Sequence, residues 1–449
     1  MLKLITFFLF FLFTFYTNAQ DIKLNYLPKN KDSLITYINT ISKNKITKFG
    51  AKYKKDIEEI ILDRKNNFIK NIEDSTFIFD ENINNYVNSI LKEIYYSNAI
   101  KNSKDFYFFI EKSNIPNAAC YGNGIFTINL GLFNFVNSDD ELAYIISHEL
   151  SHYILEHNDK SLLKYVETFN SKVTKQKIKK IENQEYGKRK AYSEFVNELN
   201  FNFLNRSQSA ELQADSLGLA LFSKTKFNKF SSVSALKNLE LSDDLVFNEN
   251  SKLKEHFNFE AYPFKEGWLQ KEESLFDIKD SSNDFSLASD SIKTHPDIPL
   301  RVDVLNKLLK EKNSSIEVSK EKLLKIKELV ALLSIKSALD DNQLDFALYQ
   351  TLVLYNKNQL DKTNYCIIVG KIMQKIYQLK NNHNFGKYVN SVSPFSDEKY
   401  LNEVRQFLIN IEIKTIRKIG LNFCLAHVDN INNPEFKTIT EFFKNLNLN

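Results

Sequence analysis

The stretch His148-Glu149-Leu150-Ser151-His152 constrains this chain more than any other feature. It sits inside residues 141–157, a run whose apolar spacing reads as helix. Residues four apart on a helix project from one face, so the two imidazoles can share one metal ion. Glu149 lies beside them with a carboxylate free to act as a general base, and the pattern is that of a zinc site. The plainer reading is an amphipathic helix with partly exposed histidines.

A catalytic zinc keeps three protein ligands and one open position, so a third ligand must come from elsewhere. The extension that brings a third histidine close by requires Gly at position 155 and His at position 158, where the chain has Leu155 and Asn158. Downstream, Ala210-Glu211-Leu212-Gln213-Ala214-Asp215 opens a second helical segment with Glu211 and Asp215 one turn apart. Alone, this would be an ordinary exposed Glu/Asp pair. Beside the first motif, Glu211 suits the third ligand position, giving one zinc per chain held by His148, His152 and Glu211. Asp215 can accept a proton from a ligating histidine and fix its ring tautomer.

These residues resemble the HtpX, BepA and CAAX-prenyl-protease group of gluzincin metallopeptidases, in which Glu-x-x-Ala-Asp-x-x-Gly follows His-Glu-x-x-His. Asn117-Ala118-Ala119 and the stretch 124–132 resemble the family's strand before the active-site helix. Asp140-Glu141-Leu142-Ala143 resembles that helix's opening, and Glu156-His157 its Arg-His pair with Glu in place of Arg. Thr294-His295-Pro296 with Arg301 resembles a Thr-His-Pro…Arg element, and the likeness runs from about Asp80 to Leu309. Cys120-Tyr121 is bulkier than the family's usual residues at that place.

The resemblance implies a zinc endopeptidase with a small sheet whose edge strand can pair with an extended polypeptide substrate. Glu149 would take a proton from the attacking water and pass it to the leaving amine, while zinc polarises the scissile carbonyl. His295 precedes Pro296, which favours an extended approach. In the family the matching element lies beside the zinc, so His295 would plug the open position or stabilise the oxyanion. The alternative is a helix-capping loop with an exposed imidazole.

Met1-Leu2-Lys3, a 12-residue apolar run over 4–15 and the exit Thr17-Asn18-Ala19 have the layout of a secretory signal peptide over 1–19. The run is short of the ~20 residues that span a bilayer, and an uncleaved anchor is the alternative. No later stretch approaches a transmembrane helix. The expectation is therefore an exported protein of the periplasm or cell envelope, soluble or peripherally attached, nearest the BepA-like branch. A formal charge of +4 is too close to balance for a nucleic-acid partner, and the basic cluster over 172–190 reads as a solvated helix face. Cys120, Cys366 and Cys424 are odd in number, so at least one thiol is free; Cys366 and Cys424 are either bridged or buried thiols.

The expected fold class is α+β and mostly helical. A helical leader over 20–79, with one long charged helix at 46–72, packs on a gluzincin-type zinc metallopeptidase domain at 80–313. That domain carries short strands at 105–110 and 125–128, and a polar, irregular stretch at 230–293 that could form a lid. From 314 to 449 the pattern is all helical. Helix pairs at 321–339 with 343–355, and at 362–379 with 384–392, repeat at about 40 residues, as in a tetratricopeptide-like solenoid or a plain helical bundle. The substrates expected are exported, unfolded or misassembled envelope proteins, in protein quality control. The rival reading is a chaperone or assembly factor whose helical tail binds envelope partners while proteolysis is incidental or latent.

Overall fold

The computed structural model describes residues 25–101, 106–245, 249–270, 298–309, 321–392 and 398–448; the expected signal peptide and His295 lie outside the described residues. The first two helices are α1 (Lys31–Lys48) and α2 (Lys54–Glu73). They replace the single helix expected over 46–72. Phe49 is extended and Tyr53 takes a left-handed φ of 61°, with Gly50 between them, so the chain breaks there.

The sheet consists of β1 (Phe77–Ile78), β2 (Tyr107–Glu111), β3 (Ala118–Gly122) and β4 (Ile125–Asn129) in the order β1-β2-β4-β3. β2 runs parallel to β4, and the other two pairings are antiparallel. Alternation along the strands builds two apolar faces. Ile110, Phe126 and Ile128 join α3 (Glu81–Ser97) in the main N-terminal hydrophobic cluster. Phe77, Phe109 and Ile125 meet Ile38, Phe68 and Ile72 of the two leader helices instead. Three successive left-handed residues, Gly122, Asn123 and Gly124, close the β3–β4 hairpin and leave β3 as an edge strand.

After α4 (Leu130–Phe135), the motif helix α5 (Asp139–Ile154) begins at a reciprocal cap. Ser138 Oγ accepts the Glu141 N–H (3.2 Å) and the Glu141 carboxylate accepts the Asn137 N–H (2.6 Å). From Asp140 to Ser151 every residue of α5 is buried. It is a central helix covered on all sides, and this excludes the amphipathic surface helix. The helix ends earlier than position 157: Glu156 turns left-handed (φ 57°) and starts α6 (His157–Asn170). The basic α7 (Lys172–Glu182) and the 35-residue α8 (Lys188–Phe222) follow. α8 lies against α5 where Gly218 sits; a Cβ there would be 3.1 Å from His148 Cα, so only glycine allows this approach without a shift.

The stretch 230–293, expected to be irregular, is helical in its first part. Its first part is α9 (Ser231–Leu245), whose Ser234 Oγ and Asn238 Nδ2 donate to the Glu141 carboxylate at 2.6 and 2.9 Å. The polar residues that argued against a helix are the ones that fasten it to α5. Residues 249–270, including α10 (Leu253–His256), send Leu253, Phe257 and Trp268 into the C-terminal core, and 271–297 lie outside the described residues.

Beyond α11 (Ile298–Leu309) come α12 (Glu321–Asp340), α13 (Leu344–Asn356), α14 (Lys362–Asn381), α15 (Lys399–Asn410), α16 (Ile413–His427) and α17 (Pro434–Leu448). The helix expected at 384–392 is a single 3₁₀ turn at Phe385–Lys387, and α14 packs on α13, α16 and α17 instead. The three cysteines are free, with Cys366 and Cys424 buried in this core. No helix among the described residues is long and apolar enough to cross a membrane.

α12 belongs to two cores at once. Leu323, Ile326, Val330 and Leu333 enter the N-terminal cluster, while Ala331, Leu332, Ile335 and Ala338 enter the C-terminal one. Polar ties reinforce it: Ser334 donates to Asn114, Tyr26 to Asp340 (2.6 Å) and Lys112 to Asp341 (2.7 Å). A cut at 314 removes four buried side chains from the N-terminal core, each worth about 1.5–3 kcal/mol. Their sum rivals the entire stability of a typical domain, about 5–15 kcal/mol. Deleting 314–449 should therefore yield a chain without cooperative thermal unfolding, read by circular dichroism and gel filtration. A soluble fragment melting at the full-length midpoint would show that the N-terminal core closes without α12.

Candidate metal centre

His148 and His152 stand one turn apart on α5, with their Nε2 atoms 3.0 Å from each other. α8 brings Glu211 across them: Oε2 lies 3.3 Å from His148 Nε2 and Oε1 3.3 Å from His152 Nε2. These are the three residues among those described whose donor atoms converge as a metal-ligand set. Ligand atoms about 2.0–2.1 Å from a tetrahedral ion stand about 3.3 Å apart, so the spacing fits zinc.

The electrostatics fit as well. Burial opposes a charge on His148, yet its contacts with Asp215 and Glu211 outweigh this and push its pKa up to about 10. Burial likewise opposes the Glu211 and Asp215 carboxylates, but the histidines and Arg301 hold both well below the usual range. The cluster therefore draws positive charge strongly. A divalent cation would meet that demand with no proton on the ligating nitrogens.

Asp215 of α8 is fully buried and is met by side chains from two other helices. His148 Nδ1 lies 2.9 Å from its Oδ1, Tyr144 donates to the same oxygen at 2.9 Å, and Arg301 of α11 donates to both oxygens at 2.7 and 2.8 Å. Arg301 Nη1 also sits 3.0 Å from Glu211 Oε2. A buried carboxylate is tolerable only when paired in this way.

Glu149 faces the same space. Burial holds its carboxyl above the ordinary carboxylate range, against the two histidines, and the Cys120 backbone N–H hydrogen-bonds to it. On the far side of the His152 ring, His157 Nδ1 approaches His152 Nδ1 at 3.0 Å, and His157 Nε2 lies 3.2 Å from Gln213 Oε1.

A cleft of about 800 Å³ opens over the cluster, lined on one wall by Asn117, Ala118, Ala119 and Cys120 of the β3 edge. Asn117 O accepts the Asn129 N–H, so the alternate residues Ala118 and Cys120 direct their own backbone groups outward, away from β4. The Cys120 carbonyl already accepts from Asn158 Nδ2 at 2.7 Å. The Cys120 thiol is pushed up to about 12 by burial, and Cys120 is not among the converging donors.

The structure thus brings His148, Glu149, His152, Glu211 and Asp215 into one cluster, while His295 lies outside the described residues. Sequence reasoning assigned no role to Arg301, Tyr144, His157 or Gln213. Arg301 and His157 were visible as motif fragments, but Tyr144 is one aromatic in an apolar helix and Gln213 one polar residue between two carboxylates. Neither carries a signal of its own. The whole cluster falls within residues 81–309, the span that matches the model of peptidase family M48. No curated protein matches the chain. With just over half of its residues matched and this cluster inside the match, the chain belongs to peptidase family M48 and is a zinc metallopeptidase that hydrolyses peptide bonds.

Proposed function

We propose that the protein is an endopeptidase that cuts extended, unfolded or misassembled polypeptides of the cell envelope after export, as the BepA-like branch of the resemblance implies. The observation that carries the reading is the juxtaposition of the three-donor cluster with an edge strand in one open cleft. A strand added to β3 is held through its backbone, with little demand on sequence, and this suits substrates defined by being unfolded.

In this reading His148, His152 and Glu211 hold the ion, Arg301 and Asp215 hold two of the ligands in place, and Glu149 is the base. Zinc would supply Lewis acidity and acidify a water. The buried Glu149 carboxylate would take a proton from the attacking water and deliver it to the leaving amine. Ala118 offers its outward N–H and C=O to the substrate main chain. The helical tail is proposed as the surface for envelope partners; α12 would couple it mechanically to the catalytic core.

Incubation of the full-length protein with unfolded casein, with and without a zinc chelator, tests the activity. Glu149→Gln should keep one zinc per chain and lower the hydrolysis rate by about 10²–10⁴-fold, the usual worth of a positioned base. Alanine at His148, His152 or Glu211 should remove metal and activity together. Loss of zinc in Glu149→Gln would contradict the assignment of roles, and full biological activity in that variant would favour the assembly-factor reading.

Asp215→Asn should weaken zinc affinity by about 10–100-fold in a chelator titration, because it withdraws the charge that fixes the His148 ring and Arg301. An unchanged affinity would reduce Asp215 to a packing residue. Ala118→Pro removes one outward N–H from the edge strand, where proline is tolerated. Losing about 1 kcal/mol of hydrogen bonding should lower kcat/KM for a peptide about fivefold with zinc content intact. An unaltered kcat/KM would place the substrate elsewhere in the cleft.

A further inference from the structure

We infer that His157, backed by Gln213, is the positioning residue for the His152 ligand: a neutral two-step hydrogen-bond relay that sets the His152 tautomer. The inference rests on the reading of His148, His152 and Glu211 as a zinc set. The two ligating imidazoles are supported differently. His148 is braced from behind by the buried Asp215 carboxylate, at 2.9 Å from its Nδ1. No carboxylate partner stands behind His152 among the contacts described; its Nδ1 meets His157 Nδ1 at 3.0 Å.

The direction of each bond follows from the one before. For His152 Nε2 to offer a lone pair to the ion, its proton must sit on Nδ1, and Nδ1 must donate. His157 Nδ1 must then accept, so the proton of His157 sits on Nε2, which donates to Gln213 Oε1 at 3.2 Å. The reverse arrangement, with His157 Nδ1–H donating, would move the His152 proton to Nε2 and close the ligand position.

His157 cannot be a ligand itself in this arrangement, because it touches the ring nitrogen opposite the point where the Nε2 atoms converge. Its place is built by the fold. The left-handed Glu156 ends α5 and puts His157 at the first position of α6, buried against the turn that carries His152. Gln213 comes from α8, two residues after Glu211, so one helix supplies both a ligand and the end of the relay. Gln213 is itself exposed, and water can replace it in part.

The test uses full-length protein, zinc as the probe and a competing chelator. His157→Leu should weaken zinc binding about 10–100-fold, the usual loss for an outer-shell partner. His157→Gln, which restores a carbonyl acceptor and an amide donor, should recover most of it, and Gln213→Leu should cost only about twofold to threefold because water substitutes. Nitrogen NMR of the wild-type protein with labelled histidine, of which there are 7, reads the tautomers without any variant having to fold. A protonated His152 Nδ1 facing an unprotonated His157 Nδ1 supports the relay. A protonated His157 Nδ1, or affinity in His157→Leu within twofold of wild type, overturns it. Failure of the wild-type protein to bind zinc would instead overturn the zinc reading of the cluster.

Discussion

The buried carboxylate of Asp215 is the interaction on which the rest of the site depends. It has no solvent exposure, and four contacts reach it from Tyr144 and His148 on α5 and from Arg301 on α11, while it belongs to α8. Removing one member of such a buried set typically costs about 3–5 kcal/mol, because the remaining charge is left without compensation. The three helices are therefore locked in one relative position. Gly218 sets how closely α8 can approach α5, and Asp215 sets the rotation at which it does so. Glu211, one turn before Asp215, is delivered to the two imidazoles as a consequence.

The surroundings preserve that geometry. α5 is enclosed by the sheet, α3, α8 and α9, and its first turn is fixed through Glu141 to both the preceding chain and α9. The sheet is covered on its other face by the leader helices, and its β3 edge lies beside the cluster. α12 closes the catalytic core from the direction of the tail and shares its other face with the C-terminal helices.

The motif residues were legible because their chemistry is local. His148 and His152 need only helical spacing, and Glu211 with Asp215 repeats that spacing on a second helix. Arg301 became meaningful only in three dimensions, since nothing in its own stretch says that it reaches 86 positions back to Asp215. α9 was misread because Ser234 and Asn238 look like loop residues until Glu141 is seen to need them. The break between α1 and α2 hinges on backbone angles at Phe49 and Tyr53, which residue type does not reveal. β1 is two residues long, too short for alternation to register. The expected pairing over 384–392 relied on a repeat period; the chain satisfied α14 with more distant helices.

The central claim is that two imidazoles and one carboxylate, fixed by the Asp215 set, hold a single zinc ion, with Cys120 near the cleft but not a ligand. Zinc K-edge absorption fine structure of the purified protein tests this most directly. The account predicts a first shell of four nitrogen and oxygen neighbours at about 2.0–2.1 Å, with the outer-shell scattering of imidazole rings. A sulfur neighbour at about 2.3 Å, or a shell without imidazole scattering, would contradict it.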